Sequence, residues 1–189
     1  FPLLKAVNKI NKGTSHIDEP GLEHVVRDTV LNKRFKASTH PTIADIYIIC
    51  VPTPFQNTLS NSTPSPDISH VLSATNSISS LLKPGDTVIL ESTSPVGTTH
   101  KVQEHLEENG VDTSTIHIAY CPERVLPGQI MKELIVNDRI IGGINKDSQL
   151  EVGKLYRSFV KGEVFETDAK TAEMCKLTEN SFRDVNIAF

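Results

Sequence analysis

Across its central part the chain alternates short, continuously apolar, β-branched runs with stretches of helical periodicity, and that alternation restricts the fold more than any other property. The runs occupy residues 46–51, 87–90, 116–120 and 139–143, with a last short one at Val164 and Phe165. Apolar residues at helical spacing fill 68–82, 98–109, 129–135 and 148–160 between them. Unbroken apolarity, as opposed to strict alternation, is the pattern of strands covered on both faces. Strands alternating with helices predict an α/β fold: a doubly wound, mostly parallel Rossmann-type sheet.

Two helices precede the first strand. Leu3, Leu4, Val7 and Ile10 have helical spacing and Gly13 fits a C-terminal stop, while Leu22, Val25, Val26 and Val30 follow a proline, Pro20, suited to a first turn. The chain begins without Met, inside what reads as a helix already under way, so the natural N-terminus is expected to lie upstream. From Ala169 one long helix runs to the end. Met174, Cys175, Leu177, Phe182, Val185 and Phe189 share one broad arc, with Lys176, Asn180 and Arg183 nearly opposite at about 100° per residue. The expected division is 1–168, an incomplete N-terminal α/β domain, and 169–189, the start of a linking helix. Residues 56–66, rich in Asn, Ser, Thr and Pro, read as a loop over the carboxyl edge of the sheet.

Composition narrows the function classes. At 189 residues, 38% hydrophobic and 22% charged, the chain suits a packed core and not disorder. A net charge of -4 without a Lys/Arg cluster argues against nucleic-acid or membrane-surface binding. No apolar run approaches the roughly 20 residues of a membrane span. The three cysteines, Cys50, Cys121 and Cys175, are an odd set; Cys50 sits in a strand-like run and Cys175 on an apolar helix face, which favours reduced thiols and a cytoplasmic setting. Neither they nor the seven scattered histidines show metal spacing.

In an open parallel sheet, ligands bind beyond the carboxyl ends of the strands. Val51-Pro52-Thr53-Pro54 is either a stiff turn or an exit loop presenting the Thr53 hydroxyl to the crevice. In Glu91-Ser92-Thr93-Ser94-Pro95-Val96-Gly97-Thr98-Thr99 the hydroxyls could meet a phosphate or ribose at a helix N-terminus, although helix capping alone explains them slightly better. Cys121-Pro122-Glu123-Arg124-Val125-Leu126-Pro127-Gly128 sets a carboxylate beside a guanidinium in a proline frame. The pair could position water and grip an anionic or hydroxyl-rich substrate, or form a surface ion pair. Lys176, Asn180 and Arg183 fall within about a 60° arc of the last helix. They are either oxyanion and phosphate donors or a solvated stripe with Glu173 as a surface ion-pair partner.

These segments, together with Ile10-Asn11-Lys12-Gly13, Glu19-Pro20-Gly21-Leu22 and the run from Thr171 to Asn186, lie in one collinear order. In that order the chain resembles the UDP-glucose/GDP-mannose dehydrogenase family. The resemblance implies oxidation of C6 of a nucleotide-linked sugar from alcohol to carboxylate with two NAD+ in succession. In the family a cysteine thiolate captures the aldehyde stage as a thiohemiacetal, which is oxidised to a thioester and hydrolysed. It implies that Thr53 and Thr93 lie along the NAD site and that Arg124 and Val125 touch substrate. Lys176 is then the acid/base or oxyanion donor, with Asn180 beside it, Arg183 on the nucleotide sugar and Glu123 assisting water in thioester hydrolysis. No metal is implied.

The Arg124-Val125-Leu126-Pro127-Gly128 version, with Pro127 where other branches carry a second glutamate, is similar to the N-acetylhexosamine branch, which implies a UDP-N-acetylhexosamine substrate. The resemblance also implies a homodimer or higher homo-oligomer, joined through the long helix. The family's first strand, its glycine-rich phosphate loop and the acid for the NAD ribose are expected before Phe1. Its catalytic cysteine and UDP-binding second Rossmann domain are expected beyond Phe189. The chain by itself is therefore expected to be inactive. The alternatives are a different sugar epimer, UDP-N-acetylglucosamine, or a non-catalytic nucleotide-binding module, which the absence of a downstream cysteine in a glycine-rich loop would favour.

Overall fold

The computed structural model describes residues 2–56 and 64–189. Most of the loop read at 56–66 falls on 57–63, outside the described residues. The elements in chain order are α1 (Pro2–Asn11), α2 (Leu22–Leu31), β1 (Ile46–Ile49), α3 (Ser69–Ser79), β2 (Thr87–Leu90), α4 (Thr98–Glu108) and β3 (His117–Tyr120). They continue with α5 (Ile130–Val136), β4 (Arg139–Gly143), α6 (Lys146–Arg157), β5 (Val164–Asp168) and α7 (Ala169–Ala188). The chain divides into two compact units, one of Phe1–Pro41 with Arg124–Asn137, the other of Thr42–Glu123 with Asp138–Phe189.

The larger unit carries the sheet, in the order β1-β2-β3-β4-β5. β1, β2 and β3 are parallel, as are β4 and β5, but β3 and β4 run antiparallel. That seam places the start of β4 beside the carboxyl end of β3. Alternation along β2 and β3 divides the core into two layers. Val88, Leu90, Ile118 and Tyr120 join Val71 and Ile78 of α3, Val102 and Leu106 of α4, and Ala172 of α7. Ile89, Ala119 and Cys121 join Ile141, Val152 and Tyr156 on the α6 side.

Coverage of both faces holds for β2 and for all of β3 after His117, and fails at the two outermost strands. In β1, Tyr47 and Ile49 are buried while Ile46 and Ile48 are 40% and 50% exposed. β5 has no fully buried residue: Phe165 and Asp168 are exposed and the other three are half-buried. α3 covers only one face of β1, so its run of β-branched residues reads as a central strand yet occupies an edge. Cys50, expected in a buried strand, lies just past β1 and is exposed.

The long helix also packs differently from its apolar arc. Its buried residues are Ala169, Ala172 and Glu173, whereas Met174, Phe182 and Val185 are 53%, 72% and 64% exposed. The reason is close approach. A Cβ on Gly142 of β4 would lie 2.7 Å from Ala169 Cα and from Ala172 Cβ, so the helix seats its small side against bare backbone.

In the smaller unit, Asn11 at the end of α1 makes a two-way clasp with Ala37: its amide donates to the carbonyl at 2.9 Å and its oxygen accepts from the N–H at 2.8 Å. α2 begins at Leu22, two residues after the proline read as part of its first turn. Gly21, at φ 82°, is the N-cap, and Pro20 stiffens the approach to it.

Candidate functional site

The carboxyl edge of the larger unit's sheet gathers the exits of β1, β2 and β3. Pro52 and Pro54 flank Thr53, whose hydroxyl donates to the Thr93 carbonyl at 2.6 Å. Ser92 donates to the Val51 carbonyl at 2.7 Å, and Ser94 donates back to Ser92 at 2.8 Å. The hydroxyl-rich segment after β2 is therefore a set of stitches between two exits. Thr53 and Thr93 then line a hollow of about 270 Å³ closed by Ser94, Pro95 and Leu177 of α7. Ligand pockets typically span about 300–1,000 Å³, so this hollow suits part of a dinucleotide and not the whole.

The amino end of α4 is neither open to a phosphate nor capped by the local Ser and Thr residues. Gly97 is its N-cap, at φ 94°, and has no side chain with which to cap it. Glu173 of α7 supplies the anion: its carboxylate accepts from the Gly97 N–H at 2.5 Å, the Thr99 N–H at 2.7 Å and the Thr99 hydroxyl at 2.6 Å. Glu173 is 0% exposed, which overturns its reading as a surface ion-pair partner. A buried carboxylate is tolerable here because three donors and a helix dipole converge on it.

Glu123 ends the larger unit's first segment. Its side chain pairs with Arg139 of β4 at 2.6 Å, and the Arg139 side chain is 1% exposed. The antiparallel seam produces this pair, and sequence reading had no access to it. The Arg139 guanidinium also stacks 5.6 Å from the Tyr156 ring centre. Tyr156 donates its hydroxyl to Glu91, and Glu91 accepts from the Cys50 thiol at 3.3 Å. Burial, then the Glu91 carboxylate, pushes the Cys50 thiol up to about 12 despite the exposure of the rest of the residue. Burial pushes Cys121 up to about 12 as well, and raises Tyr156 and Tyr120 above the ordinary phenol range. Neither thiol is a thiolate at neutral pH, so neither is poised as a nucleophile.

Lys176 is half-buried, and its Nζ donates to the Glu123 main-chain carbonyl at 2.6 Å. Asn180, one turn on, is also half-buried. Arg183 is exposed, with Nε 3.5 Å from Asp184. Lys176 and Asn180 thus continue the packed side of α7, while Arg183 projects past it. A stripe nearly opposite the apolar arc had pointed to solvent; in the fold Met174, Phe182 and Val185 of that arc are exposed, while Cys175 and Leu177 are half-buried like Lys176 and Asn180. That arc borders a hollow of about 680 Å³ lined by Val96, Met174 and Phe182.

Arg124 and Val125 belong to the smaller unit. The Arg124 carbonyl accepts from Asn137 at 2.6 Å, and the Leu126 N–H donates to Glu133 at 2.7 Å. The following turn is fastened by Glu19, 7% exposed, whose two oxygens accept from the Gly128 and Ile130 N–H groups at 2.8 Å each. Glu19 and Glu173 escaped sequence reading because each caps a helix distant in the chain. The one local hint at Glu173 was its place beside Ala172 and four residues, one helical turn, after Ala169, on the small-sided face of the helix. Among the described residues, no group of three His, Cys, Asp or Glu could hold a metal ion, and no helix is long and apolar enough to cross a membrane.

Comparison with known proteins yields a consistent set of relatives. Residues 4–160 match the family model for the UDP-glucose/GDP-mannose dehydrogenase family, NAD binding domain. Over 97% of its length the chain is 51% identical to the UDP-N-acetyl-D-mannosamine dehydrogenase of Escherichia coli K12 and 48% identical to an NDP-N-acetyl-D-galactosaminuronic acid dehydrogenase of Ralstonia nicotianae. It spans 45% and 44% of these proteins, somewhat less than half of each. Among solved structures, a UDP-N-acetylmannosamine dehydrogenase from Pyrococcus horikoshii superposes with a TM-score of 0.90 at 41% identity, covering 97% of this chain and 44% of that one. A GDP-mannose dehydrogenase from Pseudomonas aeruginosa, 22% identical with a TM-score of 0.86 over 97% of this chain and 43% of its own, shares the fold.

Proposed function

The chain belongs to the UDP-glucose/GDP-mannose dehydrogenase family, and from that premise we propose that it is part of an NAD-dependent UDP-N-acetyl-D-mannosamine 6-dehydrogenase. The reaction oxidises C6 of the sugar to the carboxylate of UDP-N-acetyl-D-mannosaminuronate in two NAD+ steps. Residues 1–168 form the NAD-binding domain, and 169–189 lead into the helix that links it onward and joins a homodimer or larger homo-oligomer. The protein works in the cytoplasm, where nucleotide sugars and NAD+ meet.

One observation carries the reading: Lys176 Nζ lies 2.6 Å from the Glu123 carbonyl, on the sheet edge where Thr53 also meets Thr93. An ammonium at this position is placed to donate to a developing alkoxide at C6. Bound NAD+ supplies the hydride acceptor. Thr53 and Thr93 line the hollow that takes part of it. Asn180 acts beside Lys176, Arg183 contacts the nucleotide sugar, and Arg124 and Val125 touch the substrate. Glu123, fixed by Arg139, orients the water that releases the acid.

A second reading, a different N-acetylhexosamine epimer, is favoured by the 48% identity to the galactosaminuronic acid enzyme. Assay of the full-length protein with NAD+ and the UDP-N-acetyl derivatives of mannosamine, glucosamine and galactosamine decides between them. Two NADH formed per mannosamine substrate is the expected result. Faster turnover of either other sugar overturns the epimer assignment, and no NADH with any of them overturns the enzyme reading.

A further inference from the structure

We propose that Glu173 is a positioning residue for the reaction centre: seated on the amino end of α4, its carboxylate sets the height and rotation of α7 so that Lys176 meets the Glu123 carbonyl. The proposal rests on the reading of Lys176 as a catalytic group.

The packing of α7 leaves this task to a directional contact. Ala169 and Ala172 against Gly142 permit close approach but offer few projecting side chains to interlock, so they do little to resist sliding along the helix axis. Glu173 supplies what they lack. Its three bonds, to the Gly97 N–H, the Thr99 N–H and the Thr99 hydroxyl, come from a fixed helix end and meet a side chain with no exposure to water. Solvent cannot replace a lost bond there without entering the core.

Lys176 follows three residues later, about 4.5 Å along the same helix, so a shift at Glu173 is passed on almost undiminished. In the other direction, Gly97 is four residues beyond Thr93, whose carbonyl holds Thr53. One carboxylate thus fastens Lys176 to the loop that lines the Thr53 hollow. It also occupies the helix end that an anionic ligand would otherwise seek.

The test is a double-mutant cycle in the full-length protein, with Glu173→Gln and Thr99→Val each made in the parent and in Lys176→Ala. Glu173→Gln keeps the volume but turns an amide toward the N–H donors; Thr99→Val removes the hydroxyl donor and keeps both backbone ones. In the parent, Glu173→Gln is expected to lower kcat about 30-fold and Thr99→Val about fivefold, with the sugar KM within about threefold and a cooperative melt retained. In Lys176→Ala each is expected to change kcat by less than about twofold, because a group that acts through Lys176 has nothing left to position. Equal losses in both backgrounds, or parent losses within about twofold, overturn the proposal. Should Glu173→Gln not fold, Thr99→Val decides by the same criteria. Near-normal kcat in Lys176→Ala alone overturns instead the assignment of Lys176, a distinct outcome.

Discussion

The Glu123 carboxylate lies 2.6 Å from the guanidinium of Arg139, across the antiparallel seam between β3 and β4. Because the Arg139 side chain is 1% exposed, Glu123 offsets a charge that water cannot reach. Glu123→Ala is expected to lower unfolding free energy by on the order of 3 kcal/mol, as removal of one partner from a buried pair does. The main-chain carbonyl that receives Lys176 is unchanged by that substitution. Urea unfolding measures the effect, and a loss below about 0.5 kcal/mol would show that Arg139 does not depend on this partner.

Lys176 and Arg183 should separate kinetically. In the full-length protein, Lys176→Ala is expected to reduce kcat roughly a thousandfold, in line with loss of a proton-transfer group or oxyanion donor. Arg183→Ala, at an exposed position, is expected mainly to raise the sugar KM by about tenfold. Steady-state kinetics on both variants check this. A Lys176→Ala enzyme with near-normal turnover would remove Lys176 from the mechanism.

Gly142 sets the distance between β4 and α7. An alanine there would place its Cβ 2.7 Å from Ala169 Cα, Ala172 Cβ and the Asp168 carbonyl, and two of these three atoms are backbone. Gly142→Ala should cost about 1–3 kcal/mol of stability through overpacking and should also lower kcat by displacing Lys176. Thermal melts and turnover measured together test it. Unchanged values for both would mean that α7 has slack at this crossing.

Alkaline pH should weaken the fold. Cys50 and Cys121 are raised from 9.0 to about 12, so between those values the folded chain retains protons that the unfolded chain has released. Stability therefore falls as pH rises through 9 toward 12, and Tyr120 and Tyr156 act in the same direction at higher pH. Urea midpoints between pH 8 and 11 should decline, and Cys121→Ala should flatten the decline. Thiol labelling gives a second readout: buried Cys121 should resist iodoacetamide at pH 8 until the protein is unfolded.

Local patterning carried much of the architecture. The β-branched runs and the helical spacing between them are short-range properties, and all five strands and the helices between them form where those patterns lie. Thr53, Thr93, Glu123 and Lys176 were legible as candidates through the motifs around them. Their contacts were not. Thr53 meets Thr93 only because β1 and β2 are neighbours, and Glu123 meets Arg139 only because β4 reverses direction.

Burial on α7 shows the divide most sharply. By sequence the apolar arc of Met174, Phe182 and Val185 should face inward, yet Gly142 lets the helix seat Ala169 and Ala172 against the sheet and turns that arc outward. Helices, strands and the polar residues that lie together along the chain follow from spacing within one element. That Glu173 is a buried helix cap and that Lys176 rests on Glu123 follow from the fold alone, because each depends on partners more than 50 residues away. Strand order and close backbone approach select such partners, and periodicity within an element does not.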